Sequence, residues 1–164
     1  MGLFDTALVL STLLCTLVAG FVFAFASVIM PGIRRLSDRD FLRAFQAMDH
    51  VIQRNQPFFM LVWLGSVASL LVGLLLGSWH LEGIDRLLLV AAAAIYLLGV
   101  QLPTAAINVP LNNRLQELDL DSLGESEIGE ARVLFEARWI KWNLIRTILA
   151  VSTAALLMLL LLRL

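Results

Sequence analysis

Apolar residues run almost without interruption through four stretches of the chain, residues 7–30, 58–78, 87 to about 106, and 144–162. Each has the length, roughly 17 to 25 residues, that carries a helix across about 30 Å of hydrocarbon. Between the first two stretches the pattern changes. Phe41, Phe45, Met48 and Ile52 recur on one helical face, while Arg39, Arg43, His50 and Arg54 fall on the other. Ser37 followed by Asp40 reads as a capping-box-like start and Pro57 as the stop, which predicts a short amphipathic helix lying at the membrane interface. Between the third and fourth stretches, QELDLDSLGESEIGE is acidic and carries glycine; helix resumes after Ser126 and runs into the last span. The expected fold class is all-α, a transmembrane four-helix bundle with one interfacial helix. Its short connections leave no room for a second domain, so 1–164 is read as one unit.

Composition agrees with this. The chain is 60% hydrophobic and 15% charged, well below the roughly 25% charged residues of an average soluble domain. The first stretch is too long for a signal-peptide core and lacks a basic start, so it is expected to be a mature helix. A net charge of −1 leaves no nucleic-acid footprint, and the single Cys15 has no disulfide partner. The bilayer is therefore the first partner expected, and self-association into a homo-oligomer is compatible with the pattern.

Charge placement adds an orientation. Arg34, Arg35, Arg39, Arg43 and Arg54 fill the first connection and Arg114, Arg132, Arg138 and Lys141 the third, whereas the second holds Arg86. The positive-inside rule then puts both long connections in the cytoplasm and both termini outside. The expected location is a bacterial inner membrane.

Polar residues inside the spans carry the candidate chemistry. Gln101, Thr104, Asn108 and Asn112 step by three, four and four and share a face of the third helix. On the last helix Arg132, Glu136, Trp139, Trp142, Asn143 and Arg146 also share a face. Counted at 1.5 Å per residue from Leu87, Asn108 lies roughly 31 Å along its helix, near the cytoplasmic boundary. Arg146 falls about one turn inside that boundary, so both ladders can meet in one layer. Such groups are costly against lipid and should face the bundle interior. Pro103 and Pro110 strengthen the layer, because neither can bond the carbonyl four residues back, Gly99 or Ala106. Thr16, Gly20, Ala24 and Ser27 form a face of small residues on the first helix, suited to close packing or to a flat ligand. The set reads either as interhelical polar packing or as a pocket for a hydrophobic small molecule. In the pocket reading Gln101, Thr104, Asn112, Trp139, Trp142, Gly20, Ala24 and Ser27 bind the ligand.

Cofactor signals are thin. His50 and His80 fall on opposite membrane sides and cannot share a haem, and Asp49 with His50 could hold a metal only with a partner such as Glu136. No Gly-rich phosphate loop or nucleophile elbow is present. No cofactor and no metal is expected.

FVFAFASVIMPGI at the end of the first span, PFFMLVWLG, NVPLN and WIKWNLIRT together resemble the DUF1772 membrane proteins, the family that includes anthrone oxygenases. The resemblance covers nearly the whole chain. It implies a four-helix membrane protein that inserts oxygen into an electron-rich aromatic, with Asn108, Asn112, Trp139, Asn143 and Arg146 facing the substrate. Arg146, Asn108 and Asn143 would then stabilise the developing anion. One departure is Leu144, where relatives carry His directly after the motif's Asn; another is the Asp49–His50 pair. An alternative is a non-catalytic membrane subunit that binds a quinone, a lipid or a partner protein. A small transporter fits less well, because one polar layer near one face makes no path across the membrane.

Overall fold

A computed structural model describes residues 2–164. The described chain is five helices: α1 (Leu3–Ile33), α2 (Asp38–Gln53), α3 (Pro57–His80), α4 (Gly83–Gln116) and α5 (Glu125–Arg163). All except α2 are long and apolar enough to cross a membrane. The spans are longer than their apolar stretches suggest because the polar ends of α4 and α5 continue as helix beyond them.

Two cores hold the molecule together. In the bundle, α1 packs on α3 and α5, and α5 in turn on α4. Leu8, Cys15, Leu70, Leu89, Ala92, Val100, Ala150 and Leu157 fill its interior. Close approach needs small residues at two seams. A Cβ on Gly77 would lie 2.3 Å from Leu89 Cδ2, and one on Gly99 2.5 Å from Leu149 Cδ1.

The second core lies at the α2 end. Phe41, Leu42 and Phe45 of α2 bury against Leu111 and Leu115 of α4, Leu120, and Ile128, Phe135 and Trp139 of α5. The amphipathic helix is thus present at its predicted place, but its apolar face meets protein and not lipid. The reason is α5, whose first turns rise past the bundle and offer a greasy wall. Ser37 caps α2 by accepting from the Asp40 N–H at 3.2 Å. Side chains then fasten the connections: Arg132 donates to Asp38 Oδ1 and Glu136 Oε2, both at 2.8 Å, and Arg39 binds Glu125 and the Leu120 and Leu123 carbonyls. Arg43 pairs with Asp121. The acidic loop therefore holds α2 down through ion pairs as well as lying in solvent.

Proline shapes α4. Around Pro103 and ahead of Pro110 the helix widens into π-helical segments, Ile95–Gln101 and Thr104–Asn108. A missing N–H and a ring that cannot occupy an ordinary turn favour this wider pairing. A third wide turn, Phe25–Ile29, precedes Pro31 in α1.

Candidate active site

α3 and α4 diverge away from their connecting turn, and the gap becomes the site. Backbones touch near the turn; further along, side chains bridge them. Ser66 Oγ meets Tyr96 Oη at 2.6 Å, and Trp63 Nε1 donates to Gln101 Oε1 at 3.0 Å. Past Trp63 no hydrogen bond joins the two helices among the described residues, and a cavity of about 270 Å³ opens, walled by all five helices. Phe21, Phe25, Phe45, Phe59, Trp63 and Trp139 supply aromatic walls, and Gln53, Val109 and Asn113 form an exposed rim. Phe59 stacks on Trp63 with centroids 5.4 Å apart, and Trp139 meets Phe45 edge-on at 5.1 Å. Ring edges and faces in these arrangements make a stiff apolar slot.

Polar groups form two clamps in this slot. In the deeper one, Arg146 donates from Nη1 to Thr104 Oγ1 at 2.8 Å and from Nη2 to Asn143 Oδ1 at 2.9 Å. Asn143 Nδ2 in turn donates to the Val22 carbonyl at 3.0 Å, one turn before the wide segment of α1. Arg146 is 4% exposed, and among the described residues no carboxylate lies within salt-bridge distance of it and its Nε has no partner. Its guanidinium carbon stands 6.0 Å from the Trp139 ring centroid, at the outer reach of a cation–π contact.

The second clamp is nearer the rim. Asn112 donates to Asp49 Oδ1 at 2.7 Å and accepts from Trp139 Nε1 at 2.8 Å. Gln53 and Gln116 donate to Asp49 Oδ2 at 2.7 and 3.1 Å. Asn108 sits between the clamps, 2% exposed; its Nδ2 donates to the Trp139 carbonyl at 3.5 Å, and its Oδ1 has no partner among the described residues.

The expected residues sort as follows. Thr104, Asn108, Asn112, Trp139, Asn143 and Arg146 all line the cavity. Gln101 lies beneath it, joined to Trp63, because the wide turns of α4 shift the register that an even helical pitch would give. Trp142 is half-buried and lines no part of the cavity, being about 60° round the helix from Trp139. The small-residue face also points elsewhere: Gly20 and Ser27 are exposed and Ala24 half-buried, and Gly20 borders a shallow groove against Val151 and Ala154 of α5. On α1 it is Phe21 and Phe25 that face the cavity. His50 is exposed and does not line it, and neither does His80. Among the described residues no group of three or more His, Cys, Asp or Glu side chains is placed to hold a metal.

Asp49, weighed from the sequence only as a metal partner of His50, is a cavity residue that the expected set leaves out. Its signal was the step of four from Phe41 and Phe45, which places a carboxylate on the buried face of α2. Trp63 and Phe59 of α3 also line the cavity outside the expected set.

Among known proteins, a family model described as anthrone oxygenase matches residues 45–156. The match takes in Asp49, Trp63 and every cavity residue of α4 and α5, leaving Phe21 and Phe25 outside it. No curated protein and no solved structure shows significant similarity to the chain.

Proposed function

The chain belongs to the anthrone oxygenase family, and from that premise we propose that it oxidises a flat, hydrophobic, electron-rich aromatic bound in the cavity between α3 and α4. The observation that carries the reading is a buried guanidinium, with no carboxylate in salt-bridge distance among the described residues, at the deep end of an aromatic slot. A volume of about 270 Å³ lies just below the roughly 300–1,000 Å³ of common small-molecule sites and suits a compact fused-ring ligand. Such a ligand partitions into lipid and enters sideways through the gap past Val109.

In an anthrone, a ring carbonyl faces a methylene across the central ring. Loss of one methylene proton turns the ring system into an aromatic alkoxide, whose negative charge settles on the carbonyl oxygen. Arg146, with Asn143 holding it and Asn108 beside it, stabilises that oxygen better as charge develops, which is the differential effect that accelerates a reaction. The electron-rich carbon then gives one electron to O2. Recombination of the radical with superoxide forms a C–O bond, and protonation yields a hydroperoxide. Loss of the remaining methylene proton and of hydroxide, with cleavage of the O–O bond, leaves a quinone carbonyl and water. One O2 is consumed per anthrone, and both of its oxygen atoms are accounted for.

By the charge asymmetry of the connections, we place the α2 end and the rim of the cavity on the cytoplasmic side.

The test is turnover of anthrone by the detergent-purified protein under ¹⁸O2. The expected result is O2 uptake in one-to-one ratio with quinone, one ¹⁸O in the new carbonyl, and a rate above protein-free autoxidation. A rate equal to autoxidation would overturn the oxygenase reading. If an anthraquinone still bound stoichiometrically, that result would favour a non-catalytic binding subunit.

A further inference from the structure

We propose that Asp49 is the proton acceptor of the site, taking the methylene proton of the substrate on Oδ1; this deepens the oxygenase reading and rests on it. Formation of the aromatic alkoxide requires a base, and the polar cavity wall otherwise offers amides, a hydroxyl and a guanidinium. Asp49 is 4% exposed and lines the cavity.

Three amides hold the carboxylate in place: Asn112 donates to Oδ1 at 2.7 Å, and Gln53 and Gln116 donate to Oδ2 at 2.7 and 3.1 Å. Among the described residues no Lys, Arg or His lies within salt-bridge distance of it. A carboxylate offers about four lone-pair sites, so one remains on Oδ1, the oxygen that carries the single amide contact. The three donors fix the orientation of the group and leave that position free. At the far end of the same cavity Arg146 is held by a hydroxyl and an amide oxygen. Asp49 and Arg146 thus line one slot without pairing, which suits a substrate that loses a proton at one edge while gaining negative charge at the other.

The proton step is H–C plus carboxylate giving the delocalised carbanion plus carboxylic acid. No oxidant enters it, so it can be read without O2. The experiment is anaerobic exchange of the anthrone methylene hydrogens into D2O, followed by proton NMR, with aerobic quinone formation measured in parallel. Wild-type protein is expected to accelerate exchange over the protein-free rate. Asp49→Asn should lose about 100-fold or more of that acceleration, the range typical of a general base, while an anthraquinone probe still binds. Asp49→Ala should behave alike and regain exchange with added formate, which replaces the missing carboxylate in the space the substitution leaves. Should Asp49→Asn fail to fold, the formate series decides alone. Equal exchange in wild type and Asp49→Asn overturns the proposal, as does aerobic turnover by wild type without anaerobic exchange; in the latter case the oxygenase reading survives. Exchange that depends on Asp49 but leads to no quinone in air supports the base and overturns the oxygenase reading. Absence of both activities overturns both.

Discussion

Arg146→Leu is expected to yield a folded, extractable protein that has lost anthrone turnover by about 10²- to 10³-fold, the usual loss when a donor to a developing oxyanion is removed. The partners of Arg146 are the Thr104 hydroxyl and the Asn143 amide oxygen, neither of them charged. A guanidinium kept in a bundle without a counter-ion is costly, and leucine removes that cost. Against this, Asn143 Oδ1 loses a donor, a penalty of about 1–3 kcal/mol for a buried unsatisfied acceptor. Thr104 is little affected, since it still donates to the Val100 carbonyl at 2.7 Å. The opposing effects leave thermal stability close to wild type. Thermal denaturation in detergent, run beside the turnover assay, separates the cases: activity lost with stability kept supports a site, whereas joint loss in proportion would make Arg146 interhelical packing.

Phe41→Ala should have the largest effect on stability. Phe41 is wholly buried beneath the α5 wall; its ring lies 6.5 Å from that of Phe135, and the Arg132 guanidinium stands 4.4 Å above it. Truncating a buried Phe costs about 3–5 kcal/mol, and the cation–π contact adds roughly 0.5–2 kcal/mol. Because this core is separate from that of the bundle, the expected outcome is release of α2 with α1, α3, α4 and α5 still assembled. Trypsin should then cut after Arg39 and Arg43 at least tenfold faster than in wild type. Turnover should fall as well, since α2 carries Asp49. Unchanged protease resistance would show that α2 is held by its ion pairs and not by its apolar face.

How much of this could be read from the residues depended on how regular each element was. Uninterrupted apolar stretches gave away the four spans, and the Phe41, Phe45, Met48, Ile52 spacing revealed α2. The step from Trp139 to Asn143 and Arg146 lies in an unbroken α-helix, and these three line the cavity together, whereas Trp142 of the same expected face does not. Gln101 did not follow its ladder into the cavity, because π-helical turns on either side of Pro103 alter the pitch on which a 100° wheel depends. The partner of α2 was invisible for a different reason. An amphipathic helix shows which face it buries, but not whether lipid or protein covers it, and here the cover comes from residues about ninety positions later in the chain. That same cover brings Asp49 against Asn112, a contact across 63 residues that no local spacing encodes.

Occupancy of the slot between α3 and α4 by the aromatic ligand is read from the positions at which a photoreactive anthraquinone attaches. On irradiation such a quinone abstracts hydrogen from the nearest C–H bonds, and peptide mass spectrometry locates the adduct. Adducts on Phe59, Met60, Ile52 and Val109, competed by excess anthrone, are the predicted result. Adducts confined to the groove beside Gly20 and Val151, or spread over the lipid-facing surfaces of α3 and α4 without competition, would contradict it.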